Sequence, residues 1–117
     1  MLKANPDLAT QKNFNKANKK LDWYLRLNMV RTNKNLATIE NFKKEKDESV
    51  RVAMLKANPN FTTQENYKKA NKKKWLYVRF KMLQANKNLA TQENFDNETD
   101  EFVRSAMKII NPNLKDN

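Results

Sequence analysis

The side chains available for chemistry in this 117-residue chain are mainly lysine, arginine and asparagine. The sequence contains no histidine, cysteine or glycine, and its formal net charge is +11. Without an imidazole or a thiol, the usual bases and nucleophiles of covalent catalysis are missing, and without glycine there is no phosphate-binding glycine loop. Zinc is usually held by cysteine and histidine, so no metal site is expected. The composition predicts a protein that is not an enzyme and that uses no cofactor and no small-molecule substrate.

Carboxylates are the remaining candidates for chemistry, and they cluster near the end of the chain. The cluster consists of Asp96, Glu98, Asp100 and Glu101. An EF-hand loop would require a glycine at its sharp turn and a glutamate at its last position. Because the chain has no glycine, we interpret the cluster as a solvated acidic turn and predict no bound metal.

Arginine recurs once per unit of an internal repeat, at Arg26, Arg51, Arg79 and Arg104, in a chain that otherwise uses lysine. A recurring arginine indicates a need for the planar guanidinium, which binds carboxylates and phosphates through two parallel hydrogen bonds. In one interpretation the arginines are structural, and cap turn carbonyls or clamp a glutamate of a neighbouring unit. The candidate glutamates are Glu40, Glu65 and Glu93. In the other interpretation the arginines contact phosphates or base edges along a nucleic acid.

Lysine is concentrated in two equivalent stretches of the repeat. The first stretch contains Lys16, Lys19 and Lys20, and the second contains Lys68, Lys69, Lys72, Lys73 and Lys74. The corresponding stretches of the other two units are richer in aspartate and glutamate. A lysine-rich face neutralises phosphates and releases counterions when a nucleic acid binds. The alternative is a solvated lysine face that has no ligand.

The junctions between the predicted helices loosely resemble a helix-turn-helix. A turn that begins with Asn-Pro and ends on a threonine is followed by Gln-Glu-Asn at the start of the next helix. From such a position Gln64 and Asn66 would read the edges of adenine. The same residue types are also ordinary helix starters, so both interpretations stay open. With Arg26, Arg79 and the eight lysines above, Gln64 and Asn66 complete the predicted nucleic-acid-binding set.

A short signature of an apolar residue, Ala-Thr or Thr-Thr, and then an asparagine and an aromatic residue occurs four times. Its capping threonines are Thr10, Thr38, Thr63 and Thr91, spaced 28, 25 and 28 residues apart. The alternating step makes the true duplication 53 residues long. We therefore expect a first half over 1–53, a second half over 54–106 and a partial repeat with a tail over 107–117, packed as one compact domain.

Turn and cap chemistry predicts helices rather than strands. Each threonine stands where a helix N-cap belongs, after an Asn-Pro or Asn-Lys turn. We predict four helices, over 11–32, 39–57, 64–85 and 92–110, with internal breaks as an alternative where Asp47 and Asp100 resemble second helix starts. The alternation of residues over 23–29 and 76–82 is instead a strand pattern. Helices are preferred because removing three residues would turn every strand side chain to the other face, whereas a helix loses nearly one turn.

The predicted fold class is all-α. It is a tandem helical repeat whose two 53-residue helical-hairpin halves pack as a small bundle or a short array. The core is expected from the apolar residues at helical spacing: Phe14, Leu21, Leu25, Phe42, Val50, Tyr67, Leu76, Phe80, Phe95, Phe102, Val103 and Ile109. The start of the chain lacks an apolar signal core and no run reaches transmembrane length, so we expect a cytoplasmic protein without a membrane partner.

We predict a small non-enzymatic nucleic-acid-binding protein, a DNA-binding regulator or accessory factor, with DNA favoured over RNA. The alternative is a protein-interaction or self-assembling helical repeat, because the basic units of one copy would face the acidic units of another in a homo-oligomer. A third hypothesis is a membrane-surface binder that uses the basic helices together with Trp23 and Trp75.

Overall fold

The computed structural model describes residues 6–116, which form helices and turns with no strand among them. Their eight α-helices are α1 (Gln11–Lys19), α2 (Trp23–Thr32), α3 (Ile39–Lys44), α4 (Glu48–Ala57), α5 (Gln64–Lys72), α6 (Leu76–Ala85), α7 (Gln92–Asn97) and α8 (Glu101–Ile110). Short 3₁₀ segments lie at Pro6–Leu8, Lys34–Leu36, Pro59–Phe61 and Lys87–Leu89. The predicted all-α class is confirmed, and the strand interpretation is wrong because 23–29 lies in α2 and 76–82 in α6. No helix within 6–116 is long and apolar enough to cross a membrane.

Threonine caps begin every second helix along the chain. The hydroxyl oxygens of Thr10, Thr38, Thr63 and Thr91 accept hydrogen bonds, 3.1–3.2 Å long, from the backbone N–H groups three residues later. Such an acceptor satisfies a donor that has no partner within the helix, and it stabilises the helix by about 1 kcal/mol. The starts of α1, α3, α5 and α7 are therefore those that the repeated signature predicts.

The four long helices predicted from the sequence are wrong, because each one is divided into two shorter helices. The breaks fall at 20–22, 45–47, 73–75 and 98–100. At two of them the chain turns through the left-handed region, with φ of 58° at Leu21 and 60° at Lys74. At the other two it becomes extended, with ψ of 127° at Glu45 and 125° at Glu98. The breaks at 45–47 and 98–100 confirm the alternative of second helix starts there.

Aspartate begins three of the four helices that follow a break. The carboxylates of Asp22, Asp47 and Asp100 accept hydrogen bonds of 2.9–3.1 Å from backbone N–H groups in the first turns of α2, α4 and α8. Trp75, which has no side-chain oxygen, holds the corresponding position before α6. A capping acceptor and a negative charge both stabilise a helix N-terminus, so these aspartates favour two short helices over one long one.

Two compact units divide the chain, the first ending at Phe61 and the second beginning at Thr62. In the first unit α2 packs against α1 and α4, and in the second α6 packs against α5 and α8. Each helix of the second unit begins and ends 53 residues after its counterpart in the first, as with α1 at Gln11 and α5 at Gln64. The positions of the helices therefore follow the sequence duplication.

Each unit has its own core, to which methionine contributes as much as the predicted aromatic residues. The most deeply buried side chains include Phe14, Met29, Phe42, Val50 and Met54 in the first unit and Tyr67, Met82, Phe95, Val103 and Met107 in the second. Three predicted core residues are wrong: Leu21, Phe102 and Ile109 are 73%, 59% and 82% exposed. Leu21 lies in the turn between two helices. The other two lie on the outer face of α8, opposite the buried stripe of Val103 and Met107.

Candidate functional site

All four recurrent arginines bind backbone carbonyls at the end of the preceding helix. Each donates from Nη1 to the carbonyl oxygen of the residue nine positions earlier, and these acceptors are Ala17, Phe42, Ala70 and Phe95. The last carbonyls of a helix have no partner within it, and a cation there also complements the helix dipole. The structure thus supports the interpretation in which the arginines cap carbonyls and hold successive helices together.

Arg26 and Arg79 also form buried ion pairs. Arg26 donates from Nε and Nη2 to the two carboxylate oxygens of Glu45, both at 2.8 Å. Arg79 does the same with Glu98 at 2.9 and 2.8 Å. Arg26 is 3% exposed and Arg79 4%. The prediction that these two arginines contact nucleic acid is therefore corrected, because their guanidinium forks are already directed at buried carboxylates.

Glu98 belongs to the buried ion pair and not to a solvated acidic turn, so that interpretation of the acidic cluster is wrong for this residue. Its carboxylate is buried and also accepts hydrogen bonds from the hydroxyl of Tyr67 at 3.2 Å and the backbone N–H of Asp100 at 3.0 Å. Burial, together with the neighbouring carboxylate, raises the pKa of Tyr67 well above its ordinary value. The glutamates that pair with arginine are Glu45 and Glu98. The candidates named from the sequence, which the structure does not place in these pairs, are Glu40, Glu65 and Glu93.

Arg51 and Arg104 lie over aromatic rings rather than beside carboxylates of the core. Their guanidinium carbons are 3.9 Å and 3.8 Å from the ring centres of Phe42 and Phe95. Each also donates to a second carbonyl, that of Glu45 or Glu98, at 3.0 and 3.1 Å. Burial lowers the pKa of Arg51 to about 10, although the charge of Glu45 acts in the opposite direction. These two arginines are therefore part of the packing of each unit.

The amide side chains expected to read bases are engaged within the protein. Gln64 and Asn94 exchange two side-chain hydrogen bonds, of 2.7 and 2.8 Å. Gln11 and Asn41 make the same reciprocal pair at 2.9 and 2.8 Å. Asn66 is half-buried, and its backbone N–H donates to the Thr63 hydroxyl. Because both polar atoms of the Gln64 amide have partners, the geometry does not support its predicted role as an adenine reader.

Four of the predicted lysines come together at an open groove in the second unit. The groove has a volume of about 1090 Å³ and runs along α5 and the turns that flank α6 and α8. Its cations are Lys68, Lys69, Lys72 and Lys74. Lys73 is exposed but does not line it. The side chain of Lys68 lies 3.8 Å from the carboxylate of Glu93, and both are well exposed. Such a surface pair contributes little, so it leaves the groove strongly positive.

A smaller groove lies at the equivalent place in the first unit. It has a volume of about 570 Å³ and is lined by Asn15, Asn18, Lys19, Leu21, Lys44 and Lys46. Every one of these six positions, advanced by 53, also lines the groove of the second unit. Of the lysines predicted in the first unit only Lys19 lines the groove, and Lys16 and Lys20 are exposed outside it. Sequence reasoning missed Lys44 and Lys46 because asparagine and threonine replace them in the second unit.

The two residues with positive φ both line the grooves. Leu21 and Lys74, at equivalent positions, adopt the left-handed conformation that glycine adopts without strain. For other residues this conformation costs about 1 kcal/mol or more. Strained backbone of this kind clusters at functional sites, where the surrounding structure holds it.

Within residues 6–116 the structure brings together no set of three His, Cys, Asp or Glu side chains suited to hold a metal ion. The residues that the structure does assemble are lysines, on two equivalent grooves, above a scaffold fixed by arginine. Comparison of the chain with protein-family models, with curated protein sequences and with solved structures finds no match.

Proposed function

We propose that the protein is a non-enzymatic nucleic-acid-binding protein whose two lysine-lined grooves hold the phosphate backbone. The observation that carries the proposal is the recurrence of one groove at equivalent positions of both units, with four lysines in one and three in the other. Their positions differ: the only lysine shared by the two grooves is the pair Lys19 and Lys72. A positive groove is thus kept in both units although most of the residues that supply its charge have changed.

The electrostatics of the chain favour a polyanion as the ligand. The formal net charge is +11, and the arginines that would otherwise supply phosphate contacts are engaged in the core. Lysine is a flexible point charge, which suits contacts with a phosphate backbone better than the reading of particular base edges. We therefore propose sequence-tolerant binding in place of the helix-turn-helix mode. The preference for DNA over RNA, the regulatory or accessory role and a cytoplasmic location stay predictions.

We further infer that the two units are tandem copies of one helical repeat, each made of two helical hairpins. The support is the constant offset of 53 residues between matching helices and the recurrence of the threonine caps and of the arginine–carbonyl contacts. On this basis each unit would carry one binding groove.

The test is the affinity for labelled oligonucleotides at low salt, measured by fluorescence anisotropy. We expect the variant with Lys68, Lys69, Lys72 and Lys74 changed to glutamine to bind at least tenfold more weakly than the wild type. The matched control changes four lysines that line neither groove to glutamine: Lys34, Lys56, Lys87 and Lys115. Both variants lose the same formal charge, so equal losses of affinity would refute a groove-specific site. Absence of any binding by the wild type would refute the proposed function itself.

Self-association is a second candidate, favoured by an apolar surface on α8. Phe102 and Ile109 are largely exposed, and Phe80 packs against Phe102 with ring centres 5.0 Å apart. At the equivalent positions of the first unit the residues corresponding to Phe102 and Ile109 are Ser49 and Lys56. Light scattering across protein concentrations tests this candidate. A dimer that Ile109→Lys converts to a monomer would support it, and a monomeric wild type would exclude it.

A further inference from the structure

We infer that the ligand of each groove is a single-stranded nucleic acid, held along its backbone by the lysines and by stacking of a base on a tyrosine beside the groove. This inference rests on the proposed function and narrows its ligand. The tyrosines are Tyr24 in the first unit and Tyr77 in the second, at equivalent positions of α2 and α6. Each lies on the helix that leaves the strained turn of its groove.

The two tyrosines are exposed where the fold gives no reason for an aromatic ring. Tyr24 is 49% exposed and Tyr77 is 65% exposed. Tyr77 follows Leu76, which lines the groove of the second unit, and Tyr24 lies three residues after Leu21, which lines the other. Burial of an aromatic ring is favourable, so a ring kept largely in solvent contributes little to stability. Its recurrence in both units is better explained by contact with a ligand.

The first unit presents a second ring beside its tyrosine. Trp23 is 45% exposed and packs edge to face against Tyr24, with ring centres 5.6 Å apart and an angle of 84° between the planes. An edge-to-face pair holds one ring by the other and leaves ring faces available for further stacking. This additional ring offsets the smaller number of lysines in the first groove.

Lysine and exposed aromatic rings together discriminate between single strands and duplexes. In a duplex the base faces are covered by neighbouring bases, so a tyrosine on the protein surface has no face to contact. Proteins that bind single strands without sequence preference combine a positive groove along the backbone with aromatic side chains under the bases. The engaged amides of Gln11 and Gln64 likewise favour stacking over hydrogen-bonded reading of base edges.

The experiment compares labelled oligothymidylate, oligouridylate, a duplex of the same length and inorganic polyphosphate as ligands of the full chain. We expect both single strands to bind more tightly than the duplex. In a protein whose first groove is disabled by Lys19→Gln, Lys44→Gln and Lys46→Gln, Tyr77→Ala should weaken single-strand binding by about 5- to 150-fold, the range typical of one stacked base. Tyr77→Phe keeps the ring and should stay within about twofold of its parent. Binding of polyphosphate, which has no bases, should not respond to Tyr77→Ala.

The matched control is Phe102→Ala, which removes another exposed aromatic ring of the second unit that does not line the groove. If Tyr77→Ala and Phe102→Ala have the same effect, or if the duplex binds as tightly as the single strands, the inference is wrong. Those results would leave the proposed function standing as long as the lysine variants still weaken binding. Failure of every nucleic acid to bind would remove both. Circular dichroism of each variant checks that the helices are retained.

Discussion

Replacement of Glu98 by glutamine should cost a large part of the stability of the second unit. Glu98 accepts two hydrogen bonds from Arg79, one from Tyr67 and one from the backbone of Asp100. Glutamine is nearly the same size but brings a neutral amide, whose NH₂ group faces the donors of Arg79. The guanidinium then stays buried, at 4% exposure, without a countercharge. Breaking a buried pair in this way costs about 3–5 kcal/mol, out of a total of about 5–15 kcal/mol for a typical domain.

The assay is urea unfolding followed by far-ultraviolet circular dichroism, with Glu93→Gln as the control. Glu93 lies 3.8 Å from Lys68 on the surface, and both side chains are well exposed, so its replacement should change the free energy of unfolding by less than about 0.5 kcal/mol. Replacing the pair by apolar residues, Arg79→Met with Glu98→Leu, should recover much of the loss. A cost for Glu98→Gln as small as that for Glu93→Gln would refute the buried ion pair and the scaffold role of the arginines.

Two further predictions concern the hydroxyl of Tyr67 and the strained backbone of Lys74. The raised pKa of Tyr67 means that the folded state holds its proton more tightly than the unfolded state, so this contribution to stability is complete below the ordinary value of about 10 and is lost as the pH rises above it. Tyr67→Phe should therefore flatten the decline of stability at alkaline pH, measured by urea midpoints across that range, and an unchanged slope would contradict the prediction. Lys74→Gly should raise the free energy of unfolding by up to about 1 kcal/mol, because relief of the left-handed strain exceeds the entropy cost of glycine. The same change at Lys73, where φ is −83°, should lower it, and a loss of equal size at both positions would contradict the strain.

Local chemistry let the sequence predict where helices begin, but not where they break. Threonine caps and Asn-Pro turns act within three or four residues, so the starts of α1, α3, α5 and α7 can be read directly. The breaks at Leu21 and Lys74 carry neither glycine nor proline, and both residues disfavour the conformation they adopt. Their geometry is set by packing within the unit, to which the bonds from Arg26 and Arg79 to the end of the preceding helix contribute.

The arginines show what repetition in a sequence can and cannot identify. Their recurrence indicated a shared role, and one of the two interpretations included the capping of carbonyls. The carboxylate partners are not visible in the sequence, because Glu45 and Glu98 lie 19 residues from Arg26 and Arg79 along the chain. Glu45 and Glu98 are also charged residues that, by type, are expected at the surface. Likewise Lys44 and Lys46 join a groove that only the folded unit assembles.

The salt dependence of binding tests most directly whether the groove lysines contact phosphates. With the first groove disabled by the three changes to glutamine at Lys19, Lys44 and Lys46, the four lysines of the second groove predict a slope of about −2.8 for the logarithm of the single-strand association constant against the logarithm of salt concentration. Changing Lys72 and Lys74 as well should reduce the slope to about −1.4, whereas changing Lys34 and Lys56, outside the grooves, should leave it at about −2.8. A slope near zero, or equal slopes for these two variants, would contradict the account.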